Sequence, residues 1–193
     1  MKGQSGITFI ELTIVILIIG LILAMAAPNF MRFLKSTKTG SAARKLAGYI
    51  TYLQERAIRD NTKYILVLDL DGNRYWAAFE IPEDQMPIEY YYSSPRDRMR
   101  IRYPEITDPW LRTVELDPGI EIPKVLDESN RPQYNGYRFI AFHPDGTADR
   151  TTIYITDTSQ NGMTVYIKPF SGRPEIYDGI NEIDPLPVLA EQE

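Results

Sequence analysis

Residues 7–27, ITFIELTIVILIIGLILAMAA, form an apolar run of 21 residues whose only charge is Glu11. A helix rises about 1.5 Å per residue, so the run spans roughly 30 Å, the thickness of a bilayer's hydrocarbon core. A secretory signal peptide wants a basic start, a shorter apolar core of roughly 7–15 residues and a small-residue cleavage site beyond it. Ala24, Ala26 and Ala27 supply such a site, but the core is too long and contains a glutamate. A plain membrane anchor accounts for the length and not for Glu11, because a charge at membrane depth is costly unless it is paired or near the interface.

The residues around Glu11 resemble one family. GITFIEL, with Gly6 before an apolar residue and Glu11 five positions after that glycine, resembles the class III leader of type IV pilins and type II secretion pseudopilins. The likeness continues through LTIVILIIGLILAMAAPNF, including Gly20 and the Pro28-Asn29 pair. It implies that a prepilin peptidase cuts after Gly6, that residues 1–6 are the leader, and that Ile7 is the new, N-methylated terminus. The family usually has Phe at that place, so Ile7 is a departure. The resemblance also gives Glu11 a reason. The Ile7 amine becomes a buried cation, and the glutamate of a neighbouring subunit, staggered along the filament, neutralises it. Removing one partner of a buried pair costs about 3–5 kcal/mol. The plainer alternative is a glutamate snorkelling to the headgroups. Gly20 and Pro28 can interrupt a helix, and related filaments imply loosened helix between them.

Residues 28–61 continue with apolar positions at Phe30, Phe33/Leu34, Ala42/Ala43, Leu46/Ala47, Ile50, Leu53 and Ala57/Ile58. That spacing predicts an amphipathic helix of about seven turns, with Arg44, Lys45, Glu55, Arg56 and Arg59 on a solvated face. Asp60-Asn61-Thr62 predicts its stop. Charge divides along the chain: residues 28–61 carry seven Lys/Arg against two Asp/Glu, and residues 62–193 carry thirteen against twenty-three. A basic stem therefore joins an acidic body. Lysines and arginines just after the apolar run would place the body in the cytoplasm by the positive-inside rule, whereas the pilin resemblance places it outside.

From Lys63 the chain changes to short β-like runs, so residues 62–178 are read as a globular β domain. KYILVLDL and RYWAAFEI flank Asp-Gly-Asn, a hairpin signal. Asp69-Leu-Asp71-Gly72-Asn73 has part of a calcium-loop pattern but lacks the remaining spacing and the late glutamate, so a tight turn is preferred. Residues 82–112 hold five prolines and read as a long excursion of the kind that carries contacts. Within it, Tyr90-Tyr91-Tyr92 and Arg96, Arg98, Arg100 and Arg102 form an aromatic-basic stretch, with RMRIRY read as a strand. Asp117-Pro118-Gly119 is a turn and Leu126–Gly136 a polar loop. YRFIAF, DRTTIYI, MTVYIKP and PEIYD follow as antiparallel strands of a small sandwich or meander. Residues 179–193 are an acidic, fraying tail. The fold class expected is α+β: a long N-terminal hydrophobic and amphipathic helix, then a small antiparallel β-sandwich-like domain.

FIAFHPDGTAD, followed by TVYIKPFSGRPEIY, resembles the C-terminal half of the GspH/FimT pseudopilin family. LAGYITYLQERAIRDNTKYILVLDL resembles that family's junction of helix and first strand, loosely at Arg56-Ala57. Residues 82–112 have no counterpart in the resemblance. Chemistry has little material. There is no cysteine, and the only histidine is His143, in a Pro-Asp-Gly turn, so zinc and Ser-His-Asp sites lack parts. No phosphate loop is present. The expectation is a protein that is no enzyme, carries no cofactor or metal, and is itself a substrate of the peptidase and methylase. The resemblance implies a minor pseudopilin at or near the tip of a periplasmic pseudopilus. Its partners would be the prepilin peptidase, other pseudopilins through the N-terminal helix, the inner-membrane assembly platform and secreted substrate. The alternative is a minor or tip pilin of a type IV pilus. Nucleic acid is disfavoured by the net charge of −5 and the acidic C-terminal segment.

Overall fold

A computed structural model describes residues 9–181; the side chains of 23–37 and of residue 96 lie outside that description. The leader (residues 1–6), Ile7 and the acidic segment 182–193 also lie outside the described residues.

The described residues begin with one helix, α1 (Phe9–Arg59, 51 residues). At about 1.5 Å per residue it is roughly 77 Å long. Its backbone is helical without a break through Gly20 and Pro28, so the loosening expected there is not seen in the single chain. A proline removes one donor and crowds one carbonyl, and helix can continue on both sides of it. The predicted stop is where α1 ends. Asn61 takes a left-handed φ of 49°, Asn61 N–H donates to the Ile58 carbonyl and Thr62 N–H to the Ala57 carbonyl. These two bonds satisfy carbonyls that the helix end leaves open.

Among the described residues nine strands follow, all paired antiparallel. Sheet A has the order β3-β2-β1-β6 and sheet B the order β5-β4-β7-β8-β9. The strands of sheet A are β1 (Tyr64–Asp69), β2 (Arg74–Ala78), β3 (Val114–Glu115) and β6 (Tyr137–Phe142). Sheet B is built from β4 (Ile120–Leu126), β5 (Pro132–Gln133), β7 (Thr151–Asp157), β8 (Gly162–Ile167) and β9 (Pro174–Asp178). The β1–β2 hairpin forms at Asp69–Arg74 as expected. Its turn uses the Asp69 carboxylate as an acceptor: Oδ1 from Gly72 N–H at 2.9 Å, Oδ2 from the Arg74 guanidinium at 2.9 Å. Gly72 is required there, since a Cβ would sit 2.5 Å from Asp69 Oδ2.

The helix and both sheets share one core. From α1 come Ala42, Ala43, Leu46, Tyr49, Ile50, Leu53 and Ala57; from sheet A Leu66, Leu68 and Ile140; from sheet B Ile122, Ile153, Ile155, Val165 and Ile167. From Ala42 to Ala57 the period-3.6 stripe therefore faces the body as expected, Ile58 is exposed, and Phe30, Phe33 and Leu34 lie outside the described side chains. Alternation puts Ile65, Val67, Trp76 and Ala78 on the opposite face of sheet A. There they form a second cluster with Tyr103, Tyr137 and Phe139.

Two expectations are corrected. RMRIRY is not a strand: Pro95–Arg102 is helix α3, with Ser94 as N-cap accepting from Asp97 N–H and Pro95 at the first turn. A shorter helix α2 (Ile88–Tyr92) precedes it. The region 126–136 is not all loop, because β5 pairs with Val125 and Leu126 of β4. The expected turn at Asp117–Gly119 is present, with Ile120 N–H donating to the Asp117 carbonyl at 3.0 Å, and it carries the chain from β3 in sheet A to β4 in sheet B.

Candidate functional site

The residues singled out for processing and assembly lie at one end of α1. Glu11 is in its first turn, among the exposed side chains Phe9, Ile10, Leu12, Ile14 and Val15. Exposure of large apolar groups continues through Ile22. Gly20 has no atom within 4 Å of where a Cβ would stand. About 14 Å of helix separates it from Glu11 at 1.5 Å per residue. Pro28 is in the helix backbone, its ring outside the described side chains. Gly6 and Ile7 lie outside the described residues, so the pairing of the Ile7 amine with Glu11 stands as a proposal. Among the described residues no helix is long and apolar enough to cross a membrane.

A helix apolar all round has no face to turn to water. Phe9 to Ile22 hold eleven exposed Phe, Ile, Leu and Val side chains. Burying such a side chain is worth about 1.5–3 kcal/mol, so covering all eleven is worth roughly 15–30 kcal/mol. That gain is available wherever other apolar groups cover the segment. In the body most large apolar residues are packed inside, with Ile88, Trp110 and Phe170 among the exceptions.

The C-terminal half of α1 is tied into the body by polar contacts as well. Tyr49 O–H donates to the Leu111 carbonyl at 2.8 Å and its oxygen accepts Ala77 N–H at 2.7 Å. Burial pushes the Tyr49 phenol well above its ordinary range, against the pull of that backbone bond. The Gln54 amide donates to the Gly146 carbonyl at 3.2 Å and also to the Ser171 carbonyl. Arg56 bridges Asp60 and Asp108, the latter at 2.8 Å. Its hydrogen bond, with a second from Tyr64, holds the Asp60 carboxyl below the usual range. So the stem is a member of the body's core.

The excursion 82–112 lies over the second face of sheet A. Arg102 pairs with Glu80 at 2.9 Å, Lys63 lies 3.8 Å from the same carboxylate, and Tyr103 packs on Phe139 with centroids 4.4 Å apart. Burial raises the Glu80 carboxyl, but the Arg102 bond and charge and the Lys63 charge outweigh it, so its pKa is lowered. The aromatic-basic stretch is thereby divided. Arg102 and Arg98 serve the fold, Arg98 by donating to the Ser93 carbonyl. Tyr91, Tyr92 and Arg100 are exposed. Sequence reasoning missed Tyr49 and Gln54. The signal in reach was a phenol and an amide within an otherwise aliphatic stripe, since buried polar groups are seldom left without partners.

No family model matches the chain. Over 88 residues, 46% of this chain and 51% of the other, it is 35% identical to the type II secretion system protein H of Pseudomonas aeruginosa. The chain thus spans about half the length of the curated relative it matches. In structure it is similar to the minor pseudopilin EpsH from the type II secretion system of Vibrio cholerae, with a TM-score of 0.54 and 14% identity over 78% of this chain and 99% of that one. The type IV minor pilin FimU of Pseudomonas aeruginosa aligns at a TM-score of 0.42 and 16% identity, covering 72% of this chain and 91% of FimU. In sequence and in fold alike, the chain is similar to the H-type minor pseudopilins of type II secretion systems.

Proposed function

We propose that this protein is a minor pseudopilin of a type II secretion system. The observation that carries the reading is the 35% identity over 88 residues to the type II secretion protein H. The leader pattern GITFIEL and the exposed apolar end of α1 support it. Residues 7–27 hold the precursor in the inner membrane, with the leader inside and the body outside. The prepilin peptidase cuts after Gly6, and Ile7 is methylated. The apolar helix then leaves lipid for the core of a periplasmic filament, where Glu11 neutralises the terminal amine of a neighbouring subunit. Gly20 and Pro28 give that segment room to adjust. The protein acts mechanically and carries out no catalysis itself. Its partners are the other pseudopilins, the inner-membrane assembly platform and, through the body, secreted substrate.

Deletion of the gene tests the reading. Loss of protein secretion with intact pili is the expected result; unimpaired secretion with lost pili would move the protein to a type IV pilus.

A further inference from the structure

Two Asn-Gly pairs occur in the sequence, Asn135-Gly136 and Asn161-Gly162. Such a pair can react with itself, the glycine nitrogen attacking the carbon of the asparagine carboxamide. Glycine brings no side chain to shield that nitrogen. In a folded chain the reaction needs a carboxamide free to turn and a base for the amide proton. The two pairs differ in both respects.

Asn161 is held. It lies in the tight connection between β7 and β8, against the carboxylate of Asp157. Oδ1 accepts the Asn161 N–H and Oδ2 accepts its carboxamide Nδ2, both at 2.9 Å. Gly162 is already the first residue of β8, and its carbonyl accepts Gly179 N–H at 2.9 Å. Turning the Asn161 carboxamide onto the next nitrogen would break a hydrogen bond to a charged group, one of the stronger kind.

Asn135 is placed otherwise. It stands exposed in the bend between β5 and β6. Its backbone carbonyl accepts the Gln133 amide at 2.9 Å, a bond that leaves the carboxamide free to rotate. Gly136 takes a left-handed φ of 76°. Its N–H donates to Oδ2 of Asp71 in the β1–β2 turn, at 3.1 Å. A general base must come within about 2.6–3.2 Å of the atom whose proton it takes, and Asp71 does so.

We infer that Asn135 is a self-modifying site, converted to aspartate or isoaspartate with Asp71 as the base. The Gly136 nitrogen bonds to Asn135 Cγ while its proton passes to the Asp71 carboxylate. The Cγ–Nδ2 bond then breaks, and Asp71 returns the proton to the departing ammonia. Water opens the resulting five-membered imide at either carbonyl, leaving an α- or a β-linked carboxylate. In sum, an amide and water give a carboxylate and ammonium, with no oxidant or reductant. The change falls at a joint of sheet A. The Gly136 carbonyl accepts Leu70 N–H at 3.0 Å, next to the last rung of the β1–β6 ladder at Asp69 and Tyr137. An isoaspartate lengthens the backbone one residue before that bond. Either product also adds a negative charge beside that of Asp71, and like charges at close range repel.

Incubation of the full chain in detergent at neutral pH, followed by peptide mass spectrometry at both pairs, tests the inference. Asn135 is expected to convert several-fold faster than Asn161, and the two rates should converge in denaturant, since both residues precede glycine. Asp71→Ala should slow Asn135 several-fold and leave Asn161 unchanged. Should that variant also speed Asn161, its fold has loosened, and Asp71→Ser decides by the same comparison. Equal rates at the two pairs in the native chain would overturn the site. Conversion of Asn135 as fast without the Asp71 carboxylate as with it, Asn161 unchanged, would overturn the base.

Discussion

Replacing Tyr49 by Phe isolates the contribution of one hydroxyl to the union of stem and body. The ring stays, keeping its edge-to-face contact with Tyr75 at 5.1 Å. What goes is a group that serves two elements at once. β3 pairs only with Arg74 and Tyr75 of β2, so further along that edge Ala77 must find other partners. Its carbonyl accepts Ile106 N–H at 3.0 Å, and its N–H donates to Tyr49. The same hydroxyl donates to the Leu111 carbonyl, and Tyr49, Ala77 and Leu111 are all buried. A buried polar group left without its partner costs about 1–3 kcal/mol. Two such groups give about 2–4 kcal/mol once partial relaxation is allowed. For a domain of this size that lowers the melting temperature by about 5–15 °C. Thermal unfolding of the full chain in detergent, followed by near-UV circular dichroism, reads the shift. Hydrogen exchange should also show the Ala77 amide losing protection. Tyr52→Phe is the control: its hydroxyl reaches Asp108 at 3.4 Å in a half-exposed setting, so it should cost less than about 0.5 kcal/mol. A Tyr49→Phe protein as stable as its parent would refute the reasoning.

Gly172 adopts φ +58°, and a Cβ there would lie 2.8 Å from the Gln54 amide nitrogen; Gly172→Ala should therefore destabilise by about 1–2 kcal/mol from the left-handed backbone alone, measured by denaturant unfolding. Ser94→Ala removes the cap of α3 and should cost about 1 kcal/mol, seen as faster amide exchange in Asp97–Arg100 with β7 and β8 unaffected. The carboxyls of Glu80 and Asp60 are both held below their ordinary range. Their contribution is thus fully present above the unfolded carboxyl values, about 4.3 and 3.9, and is lost as pH falls through the lower folded ones. Stability should decline below about pH 4.5, and Glu80→Gln should flatten that decline; an unchanged acid profile would count against the Glu80–Arg102 pair.

The long apolar run, the amphipathic stripe and the Asn61 stop were legible because each has a period or a cap that local chemistry enforces. The DGN hairpin and strands β6 to β9 were legible for the same reason. The helix at Pro95–Arg102 was not, although Ser94-Pro95 followed by Asp97 is a start signal. Arginines alternating with Met99, Ile101 and Tyr103 imitate the two-residue period of a strand, whereas in the helix Arg98 and Arg102 lie one turn apart, Arg98 donating to the Ser93 carbonyl and Arg102 pairing with Glu80. Which sheet each strand joins was beyond reach, since β1 pairs with β6 across a separation that no local pattern records. For the candidate site, Gly6, Ile7 and Glu11 came from the resemblance of GITFIEL to a known leader motif, not from this chain's own packing. Tyr49 and Gln54 were hidden because a polar residue within an apolar stripe has a partner whose position only the fold decides.

The central claim is that the first six residues are an address, and that the working chain starts at an apolar residue five positions before Glu11's successor, Leu12. Mass spectrometry of the protein purified from its native membrane reads this directly. The account predicts a chain beginning at Ile7 and carrying an N-methyl group. A chain that still begins at Met1, or one cut after Ala24–Ala27, would contradict it.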